Sequence, residues 1–175
     1  MQIIIYGSEY GTTKKYAEEF GRLSNIEVLS FNQINHINDY DSIYYFGALY
    51  AGGVLGLKQT LRNLDISKNK KLIIVSVGLA DIDDQTNREN IRRSIANQLD
   101  VEVFNKAKIF HLRGGIDYSK LKFKHKTMMA LLYTKAKSIP EKDRNAEVRA
   151  MIATYNQVVD FVDFSKLESI LNEIY

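Results

Sequence analysis

Hydrophobic and polar positions along this chain fall into short apolar runs that alternate with stretches of helical period. Residues 2–6 (Gln-Ile-Ile-Ile-Tyr) end at Gly7, the mark of a strand buried on both faces. From Thr12 the period changes. Tyr16, Ala17, Phe20 and Leu23 share one helical face, with Lys14, Lys15, Glu18, Glu19 and Arg22 opposite. Residues 26–29 predict a second strand, followed by an Asn-rich connection over 32–41 without helical period. Residues 42–46 predict a third strand closed by Gly47, after which a loop with Gly52, Gly53 and Gly56 leads into a short helix through Leu57, Leu61 and Leu64. Residues 71–77 predict a fourth strand closed by Gly78, residues 88–99 a helix with Ile91, Ile95 and Leu99 on one face, and residues 108–112 a fifth strand ended by Gly114 and Gly115. Strands alternating with helices in this way predict an α/β fold: a three-layer, doubly wound, five-stranded parallel sheet with right-handed crossovers.

Beyond the fifth strand the pattern changes. Residues 116–137 are basic and aromatic and end in a predicted helix that Ser138, Ile139 and Pro140 must stop. Residues 141–160 predict another helix, with Val148, Ile152, Tyr155 and Val159 on one side. Ser165 and Glu168 have capping-box spacing ahead of Ile170, Leu171 and Ile174. A doubly wound domain needs one helix after its fifth strand, so residues 117–164 read as an insertion within a single domain spanning 1–175. No repeat or low-complexity tract interrupts it.

Composition narrows the chemistry. With no cysteine, disulfides, iron–sulfur ligation and thiolate catalysis are excluded, and any redox work falls to a bound cofactor. The first apolar run is too short for a signal segment, and no apolar stretch reaches membrane-spanning length; the expectation is a cytoplasmic protein. The formal charge of +3 is uneven, because residues 113–137 hold seven Lys/Arg and one Asp. That segment is net +6 on a body of −3. It suits an anionic partner, a membrane surface or simply a solvated helix face.

In open parallel sheets ligands bind beyond the carboxyl ends of the strands, near the reversal of strand order. For the order 2-1-3-4-5 the candidate site is three loops, at residues 7–13, 47–53 and 78–83. In the first, Gly11 lets the backbone bend, Ser8, Thr12 and Thr13 bring hydroxyls, and a helix N-terminus offers amides. It contains no lysine or arginine, and neither a Walker A ending nor a Gly-x-Gly-x-x-Gly fingerprint. A terminal monophosphate fits it better than a triphosphate; the plain alternative is that Thr12 or Thr13 only caps the helix.

Ser8-Glu9-Tyr10-Gly11-Thr12-Thr13 after a buried strand resembles the Ser/Thr-x-Thr-Gly-x-Thr loop with which flavodoxins wrap the FMN phosphate, with Tyr10 in place of the usual Thr. The resemblance continues in Ala48, Leu49, Tyr50, Ala51, Gly52 and Gly53 at the second flavin loop and in Val77, Gly78 and Leu79 at the third. It implies a flavodoxin-like fold and FMN as cofactor. Tyr50 is the aromatic best placed to stack on the flavin ring, with Tyr10 second. Val162, Asp163 and Phe164 before a terminal helix, and a basic insertion, look like a subfamily that includes menaquinone-dependent protoporphyrinogen oxidases. The resemblance therefore implies a flavoprotein in electron transport or an FMN-dependent oxidoreductase, with a redox partner protein or a small-molecule or quinone substrate.

A plain electron carrier would present an acidic face, and this chain is basic. Its insertion, from Lys120 to Lys137, suits a partner contact or sheet-edge cover, or peripheral contact with the inner face of the membrane. No recognition motif accompanies the basic stretch, so no nucleic-acid partner is expected. A phosphoacceptor receiver needs acidic residues that Gly7-Ser8 and Gly47-Ala48 do not supply. His36, His111 and His125 are scattered and no metal site is expected. The alternative function is a flavodoxin fold kept as a binding module without flavin, for which Tyr10 is the hint.

Overall fold

A computed structural model describes residues 1–50, 53–67, 70–144 and 146–174. β1 (Gln2–Gly7), β2 (Val28–Ser30), β3 (Ser42–Tyr50), β5 (Lys71–Gly78) and β6 (Lys108–Arg113) form a parallel sheet in the order β2-β1-β3-β5-β6. This is the predicted 2-1-3-4-5 order. β4 (Gly53–Val54) folds back antiparallel on the end of β3.

Alternation of side chains along buried strands builds two cores. Ile3, Ile5, Ile43, Tyr45, Leu72 and Ile74 face α2 (Leu57–Leu61), α3 (Gln85–Ala96) and α4 (Val101–Lys106). Ile4, Tyr44, Phe46, Ile73, Val75 and Val77 face α1 (Thr12–Ser24) and α7 (Glu168–Leu171), where Phe20 tilts against both Tyr44 and Phe46. The result is three layers, helices on both sides of one sheet. Continuous apolar strands follow from that double burial.

Several boundaries differ from the sequence reading. β3 runs on past Gly47 to Tyr50, because Ala48 still pairs with Val77 of β5 and Leu49 with Val54. α3 begins three residues early, where the Asp84 carboxylate accepts the Asn87 amide at 2.9 Å. α4 is a six-residue helix in a stretch for which the sequence pattern predicts none. The terminal cap is Asp163, not Ser165: its carboxylate takes the Ser165 amide at 3.0 Å and hydroxyl at 2.6 Å, opening a 3₁₀ turn (Phe164–Leu167) that runs into α7.

The insertion is a ribbon with a helical hairpin rather than helices alone. β7 (Gly115–Asp117) pairs antiparallel with β8 (Val158–Asp160), enclosing α5 (Phe123–Ser138) and α6 (Ala146–Thr154). The predicted helix over 141–160 stops at Thr154 because Asn156 takes a left-handed φ of 58° and turns the chain into β8. Tyr133 of α5 stacks on Tyr155 at 4.0 Å and 12°. At the base of the insertion the Tyr16 hydroxyl donates to the Arg113 carbonyl and accepts the Asp163 amide, both at 2.8 Å. Among the described residues no helix is long and apolar enough to cross a membrane.

Candidate functional site

The chain leaves β1 at Gly7, which is squeezed so closely that a Cβ there would lie 2.2 Å from the Leu55 carbonyl oxygen. Ser8 then shapes the turn, its Oγ accepting the Gly11 amide at 3.0 Å. Gly11 takes φ +93° with open space around it, and α1 starts with no side-chain cap. The capping role considered for Thr12 and Thr13 is therefore absent: Thr12 is half-buried, Thr13 is buried, and the first-turn amides of α1 retain the positive end of the helix dipole. Glu9 and Tyr10 form the exposed tip.

The second predicted loop is a hairpin. Ala48, Leu49 and Tyr50 are strand residues, half-buried at the end of β3, and Gly53 begins β4 at φ +109°. Ala51 and Gly52 lie outside the described residues. Gln98, which no sequence motif marks, pins the hairpin by accepting the Val54 amide at 2.7 Å and donating to the Val54 carbonyl at 3.1 Å. In the third region Val77 is a buried strand residue, and Gly78 lies against Leu49, 3.2 Å from where its Cβ would be. The Gly78 carbonyl accepts the Gly114 amide at 2.7 Å, and the Leu79 carbonyl accepts from Arg113, whose guanidinium lies 3.8 Å over the Phe161 ring. All three predicted regions thus meet at one edge of the sheet.

The insertion joins them. Lys122 Nζ lies 2.5 Å from a Glu9 carboxylate oxygen, and the Lys122 amide donates to the Tyr10 hydroxyl at 3.3 Å. That hydroxyl also hydrogen-bonds His125 Nδ1. The His125 ring meets the Tyr10 ring edge-on at 5.6 Å and faces Tyr50 at 6.2 Å and 31°. Lys122 holds the Glu9 carboxyl below the usual carboxylate range, while burial, with Glu9 and Tyr10 nearby, pushes the Tyr50 hydroxyl up to about 12. Tyr50 is an un-ionised ring at neutral pH. No sequence signal announced Lys122 or His125 here, since the contact spans 115 positions.

This edge offers an anion the bare first turn of α1, the Ser8 hydroxyl and open space above Gly11, and offers a flat ring the Tyr50 face and the peptides around Gly78. Among the described residues no cluster of three potential metal ligands occurs. Ser76 and His111 meet at 2.7 Å on the α3 side of the sheet, with Ser76 buried.

The sheet order and flanking helices define an α/β domain of the doubly wound class. The flavodoxin domain family model matches residues 3–143, and the chain belongs to that family. Flavodoxin domains as a family bind FMN and carry electrons. A solved flavodoxin from the domain Archaea is similar at 14% identity and a TM-score of 0.40, covering 64% of this chain and 82% of its own. No curated protein matches the chain.

Proposed function

We propose that this protein binds FMN at the carboxyl edge of β1, β3 and β5 and uses it to exchange electrons with a partner. The observation that carries the reading is the uncapped start of α1 behind the Ser8–Gly11 turn, at the same edge as Tyr50 and Gly78. The Ser8 and Thr12 hydroxyls and the first-turn amides of α1 bind the phosphate in the open space above Gly11, while Leu49, Tyr50, Gly78 and Leu79 line the ring. FMN when bound supplies the one- and two-electron chemistry that no side chain here provides. Tyr10 does not weaken this reading, because its hydroxyl is engaged by Lys122 and His125 and serves the insertion rather than the phosphate.

Basic residues on the insertion form the rim where a partner approaches: Phe123 is 85% exposed in the first turn of α5, with Lys120, Lys124 and Lys126 exposed around it. An anionic electron partner suits that rim. The finer reading, menaquinone-dependent oxidation of protoporphyrinogen, draws its support from an insertion that packs directly onto the site. The test is a titration of purified protein with FMN followed by flavin fluorescence. Saturable quenching at one FMN per chain supports the proposal; a colourless protein that leaves the emission unchanged overturns it in favour of a binding module. Protein-dependent formation of protoporphyrin with menaquinone present then separates oxidase from carrier.

A further inference from the structure

We infer that Arg113, at the end of β6, sets the charge at the cofactor edge: its guanidinium, without a counter-ion behind the Leu79 carbonyl, favours the reduced, anionic flavin ring over the oxidised, neutral one. The inference deepens the FMN reading above and rests on it.

The guanidinium is held from several directions. It lies 3.8 Å over the Phe161 ring and donates to the Leu79 carbonyl at 3.3 Å. Phe161 is tied to the same strand end, its amide donating to the Gly114 carbonyl at 3.0 Å, while the Gly114 amide reaches the Gly78 carbonyl at 2.7 Å. The Arg113 carbonyl accepts the Tyr16 hydroxyl at 2.8 Å. A Cβ on Gly114 would lie 3.3 Å from the Thr12 methyl group. Arg113 therefore stands one residue from the point where the phosphate loop and the third loop meet, and it is hydrogen-bonded to Leu79, which the FMN reading puts beside the ring.

No carboxylate compensates this charge. Among the described residues Arg113 has no ion-pair partner, and its buried Nε has no hydrogen-bond partner. Carboxylates of the adjoining segments are engaged elsewhere: Glu9 with Lys122 at 2.5 Å, Asp117 with Lys120 at 3.3 Å, and Asp81 and Asp160 with the Asp83 and Val162 amides, each at 3.0 Å. A half-buried cation without a counter-ion, with one buried N–H left unbonded, costs the fold free energy. Its field is left to act on an anion that forms at this edge. Uptake of two electrons and one proton turns the neutral flavin ring into a monoanion, so a positive charge here stabilises the reduced ring and does little for the oxidised one. The bound flavin becomes a readier electron acceptor.

The experiment is a redox titration of FMN-loaded wild type, Arg113→Met, Arg113→Gln and Arg113→Lys against reference dyes, with the affinity for oxidised FMN read by flavin fluorescence and folding by far-UV circular dichroism. Arg113→Met keeps an apolar stem against Phe161 and removes the charge, and Arg113→Gln removes it while keeping an amide donor for Leu79. Each is expected to lower the preference for reduced over oxidised FMN about tenfold, which is a fall of about 30 mV in the two-electron potential. The affinity for oxidised FMN should change far less. Arg113→Lys should restore most of the potential, a rescue by charge. A merely structural arginine would weaken both redox states together and leave the potential where it was. An unchanged or higher potential in whichever neutral variant folds overturns the inference, as does a fall in Arg113→Lys as large as in the neutral variants. Wild type that fails to bind FMN overturns the functional proposal and this inference together, whereas FMN binding with a potential indifferent to Arg113 overturns this inference alone.

Discussion

His111 lies on the α3 side of the sheet sharing a 2.7 Å hydrogen bond with Ser76, and burial, helped by Arg88 and Arg92, pulls its pKa down to about 4. Because the folded value lies below the unfolded value of about 6.5, its stabilising effect is complete above pH 6.5 and is lost as pH falls toward 4. At pH 5 the loss amounts to roughly 2 kcal/mol. Urea unfolding at pH 7.5 and pH 5 should show it, and His111→Gln should flatten that part of the profile. Gly11 gives a second test at this scale. Its φ of +93° with nothing within 4 Å of a would-be Cβ means that Gly11→Ala suffers backbone strain and no clash. The cost should be about 1 kcal/mol, seen as a melting temperature lower by about 3 °C.

At the scale of elements, the Tyr16 hydroxyl ties together the two chain segments at the base of the insertion. Tyr16→Phe leaves the Arg113 carbonyl and the Asp163 amide without their shared partner, a loss of about 1–3 kcal/mol borne where the insertion leaves and rejoins the body. Limited proteolysis should cut faster within residues 118–157 while β1, β3 and β5 keep their amide protection. Elements set by local pattern were readable: the order of strands and helices, α1, and α5 stopped before Pro140. Those misread depended on distant partners. β3 is extended by pairing with β5 and β4, and α6 is shortened because its chain is recruited as β8 to pair with β7. Neither partner is visible in a local window.

For the molecule as a whole, charge is separated between a net +6 segment over residues 113–137 and a body of net −3. The folded chain lays that segment against the proposed flavin edge through Lys122 and His125. Reduced, FMN-loaded protein should therefore be oxidised by ferricyanide at a rate that falls as salt rises, and by tris(phenanthroline)cobalt(III) at a rate that rises, since screening weakens attraction and repulsion alike. Reversing Lys120 and Lys124 to Glu should shrink or invert both slopes in stopped-flow measurements.

The sequence by itself determined the α/β order, the double burial of the central strands and the glycine-and-hydroxyl composition of the loop from Ser8 to Thr13. Each of these is written in near neighbours, through apolar period, glycine placement and hydroxyl spacing. Tertiary structure alone decided that the second loop is a hairpin pinned by Gln98, that Tyr10 serves the insertion, and that His125 stands opposite Tyr50. Those contacts join residues tens to over a hundred positions apart, and only the path of the folded backbone brings such residues within reach of one another.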